Sequence, residues 1–251
     1  MSTAPLFLVD ALPTGEEAVL DGPEGRHAAT VKRLRRGEEL VLADGRGGLA
    51  PAVVEAVTGR DTLAVRIVHR LRVDPPAPRV LLAQALVKGE RGELAVELAT
   101  EAGIDGVLPW RAARCVAKWE PGPRGDRALE RWRGTVRAAA KQARRPWVPW
   151  VEEPLDTRAL ARRAAAADLA LVLHEAAADG LADIAGQLPE RGDVLLAVGP
   201  EGGVSDAELD ELVAAGARAV RLGPEVLRAS TAGTVALGAI SALTSRWTHP
   251  I

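Results

Sequence analysis

The chain is poor in cysteine, in two of the aromatic residues and in asparagine. Its 251 residues include one cysteine, Cys115, one phenylalanine, Phe7, no tyrosine and no asparagine. A single cysteine excludes an intramolecular disulfide, and within one chain it excludes a zinc site built on several thiolates. The four histidines, His27, His69, His174 and His249, are scattered without metal-ligand spacing, so no metal is expected. Asn and Tyr drop out of any list of catalytic groups. No apolar run is long enough to cross a bilayer. The stretch from Met1 to Asp10 lacks the basic start and apolar core of a signal peptide. A cytoplasmic protein without a membrane partner is the expectation. Charge of one sign is also lacking: 32 Lys+Arg against 34 Asp+Glu leave a net −2. That sum neither favours nor excludes a nucleic acid, because the distribution of charge decides.

What is present falls into two parts. Residues 1–73 read as β-rich, with short apolar or alternating runs at Leu40–Ala43, Pro51–Val57 and Leu63–Val68. Asp44-Gly45 and Gly47-Gly48 punctuate them as turns. The prolines of Asp74-Pro75-Pro76-Ala77-Pro78 have fixed φ and no N–H to donate, which places a domain boundary there. Residues 74–251 then alternate. Strands are expected at Val80–Leu86, Gly106–Pro109, Asp168–Leu173, Val194–Val198 and Ala219–Leu222. One helix is expected over Glu90–Ala102, with Leu94 and Leu98 on its buried face and Gly103 as C-cap. Another runs over Asp126–Arg144 and buries Leu129, Trp132, Val136 and Ala140. A last helix from about Thr231 to Ser245 buries Ala232, Val235, Ala236, Ala239, Ile240 and Leu243. Such alternation predicts an α/β fold with a mostly parallel sheet covered on both faces.

Two stretches share one layout. Leu195-Leu196-Ala197-Val198 leads into Gly199-Pro200-Glu201-Gly202-Gly203 and a helix whose start carries the capping-box pair Ser205 and Glu208. Val220-Arg221-Leu222 leads into Gly223-Pro224-Glu225 and the last helix. Both loops leave the carboxyl ends of strands, the edge where ligands bind in open α/β sheets. Two plain strand-to-helix turns would read the same way. No Gly-Lys-Ser/Thr ending makes either a P-loop, and no Gly-Xaa-Gly-Xaa-Xaa-Gly opens a helix. Gly45-Arg46-Gly47-Gly48 fits a hairpin, and Gly22-Pro23-Glu24-Gly25 reads as a turn. Two basic clusters stand out. One holds Arg26, His27, Lys32, Arg33, Arg35 and Arg36. The other, Arg124 to Arg145, contains eight basic and two acidic residues. Arg133, Arg137 and Lys141 recur every fourth residue, with Arg145 continuing the row. Like charges so spaced repel, and a bound polyanion would remove the penalty; a solvated face is the alternative. Trp147 and Trp150 could stack on bases or serve as packing.

These residues resemble a known family. Leu196 to Gly203, with Ser205 and Glu208, resembles its Ile-Gly-Pro-Glu-Gly-Gly loop and the helix after it. Leu222-Gly223-Pro224, Val226-Leu227-Arg228 and Thr231-Ala232 resemble its Leu-Gly-Xaa-Xaa-Ile-Leu-Arg-Xaa-Glu-Thr-Ala motif. Lys88-Gly89-Glu90-Arg91, Ala99-Thr100-Glu101-Ala102-Gly103-Ile104 and Pro109 resemble its Lys-rich strand exit and Lys-Ala-Thr-Glu-Leu-Gly segment. Gln142, Arg145 and Pro149 are similar to its Glu-Gln-Ser-Xaa-Arg-Xaa-Xaa-Xaa-Pro motif, and His27, Val31, Arg33 and Gly37 to its His-Xaa-Xaa-Xaa-Val-Leu-Arg signature. The family is that of the 16S ribosomal RNA uracil-N3 methyltransferases, in the SPOUT superfamily. The chain departs from the pattern at Lys141, Ala143, Glu225 and Ala229-Ser230, which leaves the two glycine loops intact.

The resemblance implies a PUA-like β-barrel RNA-binding domain, then a SPOUT α/β domain with a deep trefoil knot. It implies a homodimer that acts on 16S rRNA of the small ribosomal subunit with S-adenosyl-L-methionine as cofactor. By position, the implied cofactor contacts are Leu173, His174, Glu175, Gly199, Gly202, Gly203, Leu222, Gly223 and Leu227. The expected RNA contacts are Arg26, His27, Arg33, Arg35, Lys88, Arg91, Arg137, Lys141, Gln142 and Arg145. Uracil N3 must lose its proton before it attacks, and charge then develops on O2 and O4. Arg228 is the expected catalytic residue, a fixed cation for that charge. Glu201, His174 and water are the candidates for the base. Two other readings stay open. One is a knotted ribose 2′-O-methyltransferase, although those relatives usually carry an Asn-Xaa-Gly motif. The other is an RNA-binding assembly factor that has lost catalysis.

Overall fold

The computed structural model describes residues 4–248, so His249 lies outside the described residues. Contacts divide the chain into two compact units. The first holds the chain up to Pro75 together with Ala140–Val148, and the second holds Pro76–Ala139 and the chain from Pro149 onward.

In the first unit, β1 (Leu6–Leu8), β2 (Glu17–Leu20), β3 (Glu39–Ala43), β4 (Gly48–Val57), β5 (Leu63–Ile67) and β6 (Leu71–Arg72) form one sheet in the order β1-β3-β4-β5-β2, with β6 paired to β4. Pairing is antiparallel except between β1 and β3. Buried and partly buried residues alternate along β4, the pattern of a strand with one face in a core. That core gathers Phe7, Leu40, Leu42, Val54, Leu63 and Val65, among others. The Asp44–Gly48 connection is the expected hairpin. The Asp44 carboxylate accepts from Arg46 N at 2.7 Å and Gly48 N at 2.9 Å, while Gly45 and Gly47 take φ +68° and +93°.

The stretch read as a turn at Gly22–Gly25 is instead the start of a helix. α1 (Gly22–Arg26) has proline in its first turn and runs on into a π-helix, His27–Val31. Proline at that place signals helix initiation. Gly25 is needed because a Cβ there would lie 2.1 Å from Asp61 O and 2.6 Å from Leu20 O.

In the second unit, β7 (Arg79–Ala85), β8 (Gly106–Trp110), β9 (Trp150–Val151), β10 (Leu169–Leu173), β11 (Asp193–Val198) and β12 (Arg218–Val220) form a sheet ordered β12-β10-β11-β7-β8-β9. Every pairing is parallel. β7, β8 and β11 are almost wholly buried, as parallel strands covered on both faces must be. Helices α2 (Arg91–Ala102), α3 (Pro123–Gln142), α4 (Thr157–Ala166), α5 (Asp206–Ala214) and α6 (Ala229–Leu243) supply the cover. One layer packs Leu81, Trp110, Leu160, Leu195 and Leu212 against each other. On the other, α6 lies on α2, β7 and β11.

Three helix readings change. α2 ends at Gly103, φ +108°, as expected, but its buried face is Gly92, Ala95, Val96, Ala99 and Thr100, and Leu94 is 43% exposed. Small residues face inward because the neighbours come close: a Cβ on Gly92 would stand 3.0 Å from the Trp132 ring. α6 likewise buries Gly233, Ala236, Leu237 and Ile240, and leaves Val235 and Leu243 half exposed. α3 stops at Gln142, and Arg144 turns the chain at φ +54°. Arg145 therefore does not continue the basic row of the helix.

Candidate active site

Strand order puts the carboxyl ends of β10, β11 and β12 side by side. β7 and β11 are neighbours whose onward connections leave in opposite directions across the sheet, the arrangement that opens a ligand crevice at the carboxyl edge. The loops leaving β10, β11 and β12 line a cavity of about 750 Å³ there. That size suits a small-molecule ligand.

The loop after β11 is folded on itself. Gly203 sits at φ +74° and its N–H donates to Pro200 O at 2.9 Å. A Cβ on Gly199 would meet the Val204 side chain at 2.8 Å. Ser205 caps α5 and forms a reciprocal capping box with Glu208, as the sequence predicts. Glu208 does more than cap. Its Oε2 accepts from Ser205 Oγ at 2.7 Å, and its Oε1 accepts from Ala113 N at 2.7 Å and Thr157 Oγ1 at 2.8 Å. Burial alone would raise its pKa. Hydrogen bonds from the Ser205 hydroxyl, Ala113 N–H, Thr157 hydroxyl and Ser205 N–H outweigh burial and hold it below the ordinary glutamate value.

The chain leaving β12 is clasped by the connection that follows β10. Arg221 N–H donates to Asp179 O at 2.9 Å and Leu181 N–H donates to Arg221 O at 2.9 Å. The Arg221 guanidinium donates to Ala177 O and Ala178 O. Beyond Leu222 the loop is open, and Val226 is 79% exposed. α6 begins at its end without a side-chain cap. The Arg228 side chain makes no hydrogen bond or ion pair among the described residues.

All nine expected cofactor residues, Leu173, His174, Glu175, Gly199, Gly202, Gly203, Leu222, Gly223 and Leu227, line this cavity, as do Arg228 and Arg91. Arg114 also lines it. No motif marked that residue in the sequence: it follows β8 in an irregular stretch and reaches the cavity through tertiary structure alone. Its guanidinium donates to Gly202 O at 3.0 Å and Val204 O at 3.4 Å. Of the two side chains considered as the base, Glu201 faces Arg91 at 3.5 Å. His174 Nδ1 accepts from Ala176 N at 3.2 Å, so that lone pair is engaged. Cys115 lies nearby as a neutral thiol, pushed up to about 11 chiefly by burial.

Apart from Arg91, the expected RNA contacts do not line the cavity. Lys88 and Arg137 are exposed elsewhere on the second unit. Arg26, Arg33 and Arg35 are exposed on the first unit, along the helical segment and the turn after it, and Gln142 is exposed at the end of α3. Lys141 and Arg145 are more enclosed. Lys141 Nζ pairs with Glu24 at 2.6 Å and lies 5.1 Å from the Phe7 ring centre, and Arg145 is only 8% exposed. The His27 ring packs edge-on against Phe7. Its pKa is lowered by burial and by Lys141, with Glu24 opposing. Trp147 is packing too: its indole N–H donates to Val73 O at 3.0 Å, and its ring fills the space beside Gly47. Trp150 covers Gly106 in the same way and remains 40% exposed. Among the described residues no helix is long and apolar enough to span a membrane, and no cluster of His, Cys, Asp or Glu could hold a metal ion.

Comparison with known proteins bears on this geometry. Residues 75–241 match the model of the RNA methyltransferase domain, and residues 20–68 match that of the RNA methyltransferase PUA domain. A Ribosomal RNA small subunit methyltransferase E from Mycobacterium bovis is 55% identical over 97% of this chain and 94% of its own length. A protein of the same name from Neisseria gonorrhoeae, solved bound to S-adenosyl methionine, superposes with a TM-score of 0.83 at 26% identity, covering 96% of this chain and 98% of its own. A Legionella pneumophila protein solved with bound S-adenosyl methionine gives 0.83 at 29% identity, over 97% of this chain and 99% of its own. With its parallel sheet, its glycine-lined cavity and these matches along both units, the chain belongs to the RNA methyltransferase family, among the small-subunit ribosomal RNA methyltransferases E.

Proposed function

We propose that the cavity binds S-adenosyl-L-methionine and that the chain methylates N3 of a uridine in 16S rRNA. One observation carries this reading: residues from three separate loops, matched one by one to the family's cofactor contacts, surround one cavity of suitable size. The fit is one of backbone and space. At Gly199 and Gly202 a Cβ would meet Val204 at 2.8 Å and Arg114 at 3.3 Å, so only glycine lets the loop fold this closely against those side chains and keep its shape along the cavity. The cofactor supplies an electrophilic methyl group on sulfur. The protein's part is to hold that donor in place, exclude bulk water and align the base. Arg228, at the cavity rim with its side chain uncommitted, faces the charge that develops on uracil O2 and O4. Glu201 and His174 are each engaged elsewhere, so removal of the N3 proton falls to water or to a rearranged side chain.

The larger assembly follows the same reading. Residues 1–73, which with Ala140–Val148 make up nearly all of the first unit, are a PUA-like barrel for RNA, with Arg26, Arg33 and Arg35 as contacts. Lys88, Arg91 and Arg137 are the proposed contacts of the second unit and Gln142 a polar contact of the first, whereas Lys141, paired with Glu24, and His27, packed on Phe7, are more enclosed. Residues 74–251 are the SPOUT domain. The clasp of Arg221 between Asp179 and Leu181, followed by the return of α6 to the sheet centre, supports a trefoil knot. The exposed Leu94 on α2, Val235 and Leu243 on α6 and Trp247 in the turn after it support an apolar homodimer face. The enzyme acts in the cytoplasm on the small subunit.

Calorimetry with S-adenosylmethionine is the direct test. Binding is expected, and its absence would leave an RNA-binding assembly factor. Loss of N3-methyluridine from 16S RNA in a strain lacking the protein, with rescue by wild type, checks the target; its persistence would refute the assignment.

A further inference from the structure

Beneath the cavity, a set of buried bonds ties together three segments that are distant in sequence. Glu208, only 6% exposed, lies in the first turn of α5. Its carboxylate takes the Ser205 hydroxyl and N–H at the end of the glycine loop, Ala113 N–H in the stretch after β8, and the Thr157 hydroxyl at the start of α4. The Thr157 oxygen in turn accepts from the indole N–H of Trp110 at 3.2 Å. Every donor has its acceptor, so the set has one arrangement. Ala113 is followed by Arg114, whose guanidinium returns to the carbonyls of Gly202 and Val204. The glycine loop is thus held twice: from below through Ser205, and from the side through Arg114, and both holds converge on Glu208. A helix cap requires only Ser205. The bonds to Ala113 and Thr157 are surplus to capping, and their effect is to join two cavity walls.

We infer that Glu208 is a positioning residue for methyl transfer, which holds the Gly199–Val204 loop and the Arg114 segment as one preformed wall of the cofactor cavity. It touches no substrate and acts through the backbone it fixes. The inference rests on the reading of the cavity as the cofactor site, and the test separates the two.

Wild type, Glu208→Gln and Thr157→Val are compared by calorimetry with S-adenosylmethionine and, without ligand, by hydrogen exchange. Glu208→Gln is expected to weaken binding by roughly tenfold or more, the scale of a lost bond to a buried charge. Amide exchange should rise in residues 111–115 and 199–205 while β7 and α6 stay protected. Thr157→Val leaves the Ser205 cap intact and should move both readouts in the same direction by less. Should Glu208→Gln fail to fold, Thr157→Val decides alone. Unchanged affinity with unchanged local exchange overturns the inference, and so does a rise spread evenly over the second unit, which would make Glu208 a general support. Wild type that shows no binding sinks the cofactor reading, and the inferred role in methyl transfer with it; the exchange pattern would then report on the wall alone.

Discussion

The two glycine loops read alike in sequence and differ in how they are fastened. Gly199 to Gly203 is clamped by Arg114, capped through Ser205 and tied by Glu208 to α4 and the stretch after β8. Gly223 to Arg228 is tied near its ends, where the chain leaves β12 and where Arg228 O accepts from Thr231 N–H and Ala232 N–H at the start of α6; between them Val226 is exposed, and α6 has no side-chain cap. One wall of the cavity is thus built before any ligand arrives, and the other carries an uncommitted cation on a loosely held loop. A pre-organised wall lowers the cost of binding. A loop with few buried contacts belongs to the low-stability parts of a fold that ligands can order.

That contrast can be broken or sharpened. The largest effect is expected from Gly199→Val, which drives a branched side chain into Val204. Overpacking of about 1–3 kcal/mol corresponds to roughly a 5- to 150-fold loss of cofactor affinity if all of it falls on the bound loop, read by calorimetry. Retained affinity would mean that the first loop is as loose as the second. Arg228→Ala should lower turnover by about 100-fold, as loss of one charge-stabilising donor does, with cofactor affinity little changed. Unchanged turnover would remove Arg228 from the chemistry.

A smaller effect lies in the pH dependence of stability. The folded pKa of Glu208 is below its unfolded value. Its stabilising contribution is complete above the ordinary glutamate range and is lost as pH falls through that range toward the folded value. Glu208→Gln should therefore flatten the acid limb of melting temperature against pH. The smallest effect is expected in the loose loop. A Cβ on Gly223 would meet only the tip of Glu225, at 3.4 Å, and Gly223 is not in the left-handed region. Gly223→Ala should leave stability unchanged or raise it by up to about 1 kcal/mol, measured by denaturant melts.

Much of this was legible. Strands β3, β4, β5, β7, β8, β10 and β11 stand within a few residues of their expected places, because apolar runs bounded by turn residues leave few alternatives. Six of the nine cofactor positions lie in the family's motifs, Leu173, His174 and Glu175 were carried over by position alone, and all nine meet at one cavity. Helix faces were harder to read. Leu94, Val235 and Leu243 were expected to point inward on α2 and α6, yet they are exposed; the buried faces mix Gly92, Ala95, Gly233 and Ala236, where neighbours come close, with Val96, Leu237 and Ile240. β1, β2 and β9 are too short to leave a pattern. The basic row of α3 read as one face, but Lys141 is satisfied by Glu24, a partner 117 residues away in the chain.

By itself, the sequence determined the longer strands, the helices over α2, α3, α5 and α6, the absence of any thiolate cluster, and the two glycine turns at strand ends, since each follows from local conformational preference or from residue supply. Tertiary structure alone decided that Arg114 and Glu208 share the first loop, that Arg246 and Asp105 form a buried pair at 2.7 Å, and that one loop is fastened and the other free. The reason is that a hydrogen bond or ion pair between distant segments has no period and no spacing in the chain. It exists only where the packed sheet brings its two ends within reach.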